Sequence, residues 1–321
     1  MEEERTDLSL FTEKVQLLRD AIGRIVVGQQ QTVDMVITAI LADGHVLIEG
    51  VPGVAKTLLA RLVARLIDAR FSRIQFTPDL MPSDVLGTTV FNMKTQEFDF
   101  HEGPVFADIV LVDEINRAPA KTQAALFEAM EERQVTVDGV THPMGDVYTL
   151  LATQNPVEQE GTYKLPEAQL DRFLLKINMG YPSEAEEVDI LERHQQNRAF
   201  VKLADVRPVI SIEELLTMRA LLGKMVVDHS LLTYITQIVQ QTRNSRAVYL
   251  GASPRASVAI LQSAKAYALL QGRDFITPDD VKTVSPYALQ HRLVLNAEAE
   301  MEGYTSLKVA QKLIEKVEVP K

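Results

Sequence analysis

The residues Gly50-Val51-Pro52-Gly53-Val54-Ala55-Lys56-Thr57 carry the parts needed to hold a polyphosphate. Such a cradle requires successive backbone N–H groups turned inward, a lysine for the β- and γ-oxygens, and a hydroxyl for Mg²⁺, all at the positive end of a helix. Gly50, Gly53, Lys56 and Thr57 supply them. The flanking pattern fits, since His45-Val46-Leu47-Ile48-Glu49 is a short apolar run and Leu58, Leu59, Leu62, Val63, Leu66 and Ile67 mark one helical face. Ala55 stands where the common pattern has glycine, and alanine is tolerable there if its φ is negative. A plain Gly-Pro turn is the competing reading.

Ile109-Val110-Leu111-Val112 would deliver Asp113 and Glu114 to the carboxyl end of a buried strand, the edge at which α/β sheets bind ligands. There Asp113 would hold Mg²⁺ through water and Glu114 would polarise an attacking water, so the second acid points to hydrolysis. Alone, the pair also fits a solvated strand end. Asn155 follows the run Leu150-Leu151-Ala152-Thr153-Gln154 and emerges at the same edge, where its amide could orient water. Asn155-Pro156 is equally a turn former. Arg255 falls in the first turn of a helix begun by Ser253-Pro254, where a cation opposes the macrodipole at roughly 0.3–1 kcal/mol, a cost that a bound γ-phosphate would reverse. Arg172, at the start of the last expected strand, reads by itself as a surface charge.

The elements that must position these groups alternate. Phe11, Val15, Leu18 and Ile22 predict an opening helix, and apolar runs at Ile74–Phe76, Ile109–Val112, Leu150–Thr153 and Phe173–Ile177 are separated by helical stretches such as Thr122–Glu132. Strands without polar alternation imply a parallel sheet covered on both faces. Asp138-Gly139 between Val135–Val137 and Val140–Thr141 predicts a β-hairpin. Thr88–Phe91 against Phe98–Phe100, around Lys94-Thr95-Gln96, predicts another. Beyond Gly180-Tyr181-Pro182 helix starts accumulate: Ser211 with Glu214 makes a capping box, and Ser253-Pro254 and Thr277-Pro278 place caps before proline. The boundary therefore falls at 182/183, with an α/β unit at 1–182 and a mainly helical one at 183–321.

The 321-residue chain carries a net charge of −11, which argues against general affinity for nucleic acid or anionic membrane. It has no cysteine, and the acidic start Met1-Glu2-Glu3-Glu4 leads into no apolar leader, so a cytoplasmic setting is expected. No apolar run approaches the ~18–20 residues that cross a bilayer.

Together these motifs resemble the MoxR branch of the AAA+ ATPases, the helix-2-insert group that includes magnesium chelatase ATPase subunits. The matching stretches are Val26-Val27-Gly28-Gln29, Gly50–Thr57, Asp113-Glu114-Ile115-Asn116-Arg117-Ala118-Pro119, Glu128-Ala129-Met130-Glu131-Glu132-Arg133, Leu170-Asp171-Arg172-Phe173 and Gly251-Ala252-Ser253-Pro254-Arg255-Ala256. The resemblance implies a parallel five-stranded P-loop NTPase sheet with β-hairpin insertions and a helical lid. It implies ATP and Mg²⁺ as ligands, held by Gln29, Gly50, Pro52, Gly53, Val54, Ala55, Lys56, Thr57, Leu58 and Asp113, with Thr57 and Asp113 serving the metal. It also implies Glu114 as the Walker B glutamate, Asn155 as sensor 1, Arg255 as sensor 2 and Arg172 as an arginine finger reaching a neighbour's γ-phosphate, with Arg117 and Arg133 as lesser candidates for contacts across subunits. The implied assembly is a ring, usually a hexamer, that remodels or matures a client protein, with partners of the von Willebrand factor A type.

Three other readings remain open at this level. An ATP-gated scaffold would change partner affinity with nucleotide state while turnover only resets it. A small-molecule P-loop kinase would transfer the γ-phosphate to a metabolite, which Glu114 and the lid arginine disfavour. DNA translocation is disfavoured by the acidic balance.

Overall fold

The computed structural model describes residues 8–155, 163–196 and 203–320; Met1-Glu2-Glu3-Glu4 and Pro156 lie outside them. The chain opens with α1 (Ser9–Gly23) and α2 (Gln30–Leu41). Phe11, Val15, Leu18 and Ile22 form the buried stripe of α1. There follow β1 (Val46–Gly50), α3 (Lys56–Leu66), β2 (Phe71–Gln75), α4 (Pro82–Leu86), β3 (Gly87–Asn92), β4 (Glu97–Glu102), β5 (Ile109–Asp113), α5 (Ala120–Glu132), β6 (Gln134–Val137), β7 (Val140–Pro143), β8 (Thr149–Gln154), α6 (Glu167–Leu170) and β9 (Leu175–Met179).

Five of these strands form one sheet in the order β2-β5-β8-β1-β9, and every neighbouring pair is parallel. Val46, Ile48, Leu111, Leu151 and Ile177 enter a core shared with α2 and α3, whereas Leu47, Val110, Val112, Leu150 and Ala152 enter a second core with α5. Successive side chains thus alternate faces, but both faces are covered, so the central strands β5, β8 and β1 read as nearly unbroken apolar runs. Two strands are displaced from the runs that mark them. β2 lies on the sheet edge and begins earlier, at Phe71; its polar Ser72 and Arg73 break the apolar run that would have marked that start. Phe173 is apolar because it packs against Phe127, with ring centroids 5.8 Å apart, and β9 starts only at Leu175; Arg172 therefore precedes the strand instead of starting it.

Both expected hairpins are present. β6 and β7 turn at Asp138 (φ +50°) and Gly139 (φ +80°), and β3 pairs with β4 with Phe91 opposite Phe98. Phe100 stacks on His142 at 3.8 Å, which joins the two hairpins.

The remainder comprises α7 (Glu184–Gln195), α8 (Ile212–Leu222), α9 (His229–Asn244), β10 (Val248–Leu250), α10 (Pro254–Leu270), α11 (Pro278–Leu289), β11 (Val294–Leu295), α12 (Ala297–Met301) and α13 (Ser306–Glu315). The caps at Ser211, Ser253 and Thr277 each accept a backbone N–H of their own helix. β10 and β11 make a short antiparallel pair, too brief to leave a periodic signal. Leu215, Ile238, Ile260 and Val281 of this helical part join the same core as α2 and α3. Burial of each such side chain contributes about 1.5–3 kcal/mol, so the helices are anchored to the sheet's face and not merely tethered to it.

Candidate active site

β1 ends at Gly50 and α3 begins at Lys56, so the turn between them presents its backbone at the positive end of α3. Gly53 adopts φ +89° with nothing within 4 Å of where a Cβ would lie. Ala55 is also left-handed, at φ +65° and ψ +23°. The negative φ that would make alanine tolerable is not what the turn uses. Entry into α3 requires a left-handed residue, and alanine accepts that conformation at roughly 1–2 kcal/mol.

The Lys56 ammonium donates to the carbonyl oxygens of Gly50 and, at 3.4 Å, Val51. Burial lowers its pKa, while Asp113, Glu114 and Glu49 push the other way. A partly desolvated cation on a helix N-terminus is a receptor for anions. Thr57 follows it, half-buried at the same helix end.

Asp113 closes β5 and is only 7% exposed. Parallel pairing of β5 with β8 matches Val112 with Ala152, which brings Thr153 beside Asp113. The Thr153 hydroxyl donates to Asp113 Oδ1 at 3.1 Å and accepts from the Glu114 N–H at 3.0 Å. On the other flank, Arg73 and Gln75 share one face of β2. Arg73 Nε donates to Asp113 Oδ2 at 2.6 Å and Gln75 Nε2 donates to Glu114 Oε2 at 2.9 Å. Arg117 pairs with the same Glu114 oxygen at 3.1 Å. Glu114 has φ +58°, so both acids are held by side chains and by a bend of the backbone. A carboxylate and a hydroxyl suit a hard cation such as Mg²⁺, with Arg73 competing for the same carboxylate. Asn155 directly follows β8, at the same edge as Asp113.

Beside the loop is a cavity of about 310 Å³, lined by Ile25, Val26, Val27, Gln29, Val54 and Leu58 among others. Gln29 is fixed by bonds to Thr32 and to the Gly180 carbonyl. Apolar walls with one positioned amide suit a flat heteroaromatic ring. A larger, polar groove of about 1210 Å³ over Arg19, Asp34 and Glu192 includes no loop residue.

Arg172 and Arg255 lie elsewhere. Arg172 precedes β9, where the Leu174 N–H donates to the His45 carbonyl at 2.8 Å, just before β1. The phosphate loop leaves the opposite end of β1, whose five residues span roughly 16 Å. Arg172 thus sits at the amino edge of the sheet and the loop at the carboxyl edge. Its Nη1 donates to the Phe127 carbonyl at 2.6 Å and its Nη2 pairs with Glu131 Oε2 at 2.8 Å. Arg255 joins the other oxygen of the same carboxylate, Oε1, at 3.1 Å. The anion opposing Arg255's unfavourable place at the head of α10 is therefore Glu131, and the fold pairs Arg255 with Arg172, not with the loop. Arg133 pairs with Asp43 at 2.9 Å.

Residues 45–175 match the model of the ATPase family associated with various cellular activities (AAA), and residues 240–316 match the AAA lid domain. Chaperone MoxR1 of Mycobacterium tuberculosis is 44% identical over 308 residues, covering 93% of this chain and 80% of that protein. The chain belongs to the MoxR family of AAA ATPases. Uncharacterized protein YeaC of Bacillus subtilis is 48% identical over 93% of this chain and 92% of its own length. The crystal structure of a candidate ATPase from Cytophaga hutchinsonii matches this MoxR-family chain with a TM-score of 0.89 at 39% identity, covering 98% of each. A magnesium-chelatase subunit ChlI homolog of Methanocaldococcus jannaschii is more distant, 28% identical over 58% of this chain and 50% of its own. The sheet, the lid and a nucleotide-binding role are those of the family.

Several residues of this MoxR-family site escape sequence reasoning. Thr153 could have been found as a lone hydroxyl in an apolar buried run, and Arg73 with Gln75 as polar residues two apart on an edge strand. Glu131 offers no such signal, because what distinguishes it is the convergence of two arginines distant in sequence.

Proposed function

We propose that this chain binds and hydrolyses ATP at a site completed by a neighbouring copy in a ring, usually a hexamer, and uses the cycle to remodel or mature client proteins. The observation that carries this reading is the separation of the two halves. Lys56, Asp113 and Glu114 lie at the carboxyl edge of the sheet, Arg172 and Arg255 at its amino edge, and an arginine side chain cannot bridge a five-residue strand. Both arginines then serve the next subunit's nucleotide.

In this reading the loop Gly50–Thr57 cradles the phosphates, with Pro52, Gly53, Val54, Ala55 and Leu58 along them and Gln29 beside the base. Mg²⁺ held by Thr57 and, through water, Asp113 would neutralise charge on the β- and γ-oxygens. Glu114 takes the proton of the water whose oxygen attacks the γ-phosphorus while the bond to the β-phosphate oxygen breaks, and Asn155 orients that water. Arg172 and Arg255 exchange Glu131 for the charge developing on the γ-oxygens. We take residues 1–182 as the nucleotide-binding unit and 183–321 as the lid. The β3–β4 hairpin, with Met93 86% and Phe98 70% exposed, offers an apolar surface for a client or an adaptor of the von Willebrand factor A type. No helix among the described residues is long and apolar enough to cross a membrane, and we place the cycle in the cytoplasm.

Two variants test the chemistry. Lys56→Ala should abolish nucleotide binding, and Glu114→Gln should keep binding while losing turnover. Normal hydrolysis by the glutamine variant would remove Glu114 from its role. Capture of partners by Glu114→Gln in ATP, compared with Lys56→Ala, would then name the client.

A further inference from the structure

Arg292 follows α11, and its side chain is only 4% exposed. Every donating edge of its guanidinium is used. Nε donates to Asp171 Oδ1 at 2.6 Å, and Nη2 to the carbonyls of Asp171 at 3.1 Å and Phe173 at 2.7 Å. Nη1 donates to the Leu174 carbonyl at 3.2 Å and to that of Ala288 in the last turn of α11. Beside it the buried His291 hydrogen-bonds the Phe173 carbonyl through Nε2 at 2.9 Å, and the Ser253 hydroxyl donates to Asp171 Oδ2 at 3.3 Å.

The residues so gripped are 171, 173 and 174. Arg172, between them, directs its own guanidinium the other way, to Phe127 and Glu131. Water would satisfy the carbonyls of an ordinary surface turn. Here a cation withdrawn from solvent satisfies them, and withdrawal costs several kcal/mol unless the partners are held in good geometry. A lysine could not reproduce the arrangement, because one ammonium cannot reach a carboxylate and four separate carbonyls as a planar fork does. The same turn is tied to Arg255 from two directions, through Ser253 at the head of α10 and through Glu131.

We propose that Arg292 is a positioning residue for Arg172. Through Asp171 and the carbonyls of Phe173 and Leu174 it fixes the turn carrying Arg172 to the lid, so that Arg172 and Arg255 are presented to a neighbouring nucleotide as one unit and any movement of the lid carries both. This rests on the reading of Arg172 as a group acting on the next copy.

The test uses full-length Arg292→Lys and Asp171→Asn, each alone, each on an Arg172→Ala background, and each mixed with Glu114→Gln. Misplacement of a group by about 1 Å costs on the order of 10²-fold, so each single variant should lose about 10- to 100-fold in kcat with little change in KM for ATP. On the Arg172→Ala background the further loss should be less than about twofold, since the residue acts through Arg172. Mixing with Glu114→Gln should restore turnover above the sum of the two parts, because the intact halves then meet at mixed interfaces. Losses that multiply on the Arg172→Ala background, or a kcat unchanged in both single variants, would overturn the assignment. So would failed rescue when Arg172→Ala itself is rescued. If Arg292→Lys does not fold, Asp171→Asn decides by the same double-variant comparison, since it keeps the side chain's shape. An Arg172→Ala variant that loses no turnover is the separate signature of failure of the shared site, and the positioning role falls with it.

Discussion

At the carboxyl edge of the sheet the candidate groups are placed by backbone and then oriented by side chains of neighbouring strands. Gly50, Lys56, Asp113 and Glu114 each lie at, or one residue beyond, the end of a strand or the start of a helix, and hydrogen bonds from neighbouring strands do the rest. At the amino edge the reactive groups are set by side chains. Arg172 sits in an irregular turn whose shape depends on Arg292, His291 and Ser253, and it shares Glu131 with Arg255. The first arrangement lies wholly within the sheet and its adjoining turns. The second ties one edge of the sheet to the lid, so it can register where the lid is, which a half-site responding to a neighbour requires.

The largest effect that would test this contrast is the loss of the Arg172 guanidinium, the proposed finger. Arg172→Ala should bind ATP with nearly unchanged affinity and lose roughly 10³-fold in kcat, in line with what arginine fingers contribute. Titrating Glu114→Gln into it should raise activity to a maximum at an intermediate ratio. A monotonic fall would show that the two edges do not work across subunits.

Acid should strike the amino edge through a different residue. His45 is buried with Nδ1 accepting the Leu150 N–H at 3.0 Å and Nε2 donating to the Met130 carbonyl at 3.3 Å, one residue from Glu131. Burial pushes its pKa down to about 4, opposed first by the Met130 bond and assisted by Arg133 and Arg219. The unfolded chain takes up the proton near pH 6.5 and the native state does not. The stability contributed by neutral His45 is therefore complete above pH 6.5, is lost as pH falls from 6.5 towards 4, and amounts to about 3 kcal/mol across that window. At pH 5 the loss should be about 2 kcal/mol. Urea unfolding at pH 7.5 and 5.0 should show a smaller difference in His45→Asn, which keeps an acceptor for Leu150. Identical differences in the two proteins would remove His45 from the acid response.

A smaller change isolates the carboxyl edge. Thr153→Val keeps the volume but strips the partners from a buried Asp113 oxygen and the Glu114 N–H, at a cost of about 1–3 kcal/mol. Turnover should fall roughly tenfold with a lesser effect on ATP binding, and Thr153→Ser should recover most of it. If Val and Ser behave alike, the hydroxyl does not order the acids.

How far the sequence anticipates each edge follows from the same contrast. Gly50–Thr57 and Asp113-Glu114 are legible because their chemistry needs only residues adjacent in the chain and a strand to carry them. The turn Asp138-Gly139 is legible for the same reason. Thr153 and Gln75 arrive by strand register, which a single sequence does not state, although their polarity in strand positions hints at it. Arg292, Glu131 and Asp171 are joined across more than a hundred residues or between separate helices; the resemblance marks the stretches around Glu131 and Asp171, but no local pattern tells which partners these charges find. The place of Arg255 is read from its cap at Ser253, but its partner is not.

Ala55 marks the limit of even the legible edge, because the residue is plain in the sequence and its φ is not. Glycine at that position would remove the left-handed penalty of roughly 1–2 kcal/mol, but would release about 0.4–1 kcal/mol of extra entropy in the unfolded chain. Ala55→Gly should therefore stabilise the protein by only about 0.5–1 kcal/mol, a rise of a few degrees at most in the melting temperature. Ala55→Val, β-branched in the same conformation, should destabilise by more than glycine stabilises. Because the strain lies wholly within the loop, Ala55→Gly and Arg172→Ala should combine additively in stability. A glycine variant that melts lower than the parent would mean that alanine at 55 holds the loop shape and does not merely tolerate it, and the phosphate loop would then depend on a side chain as the amino edge does.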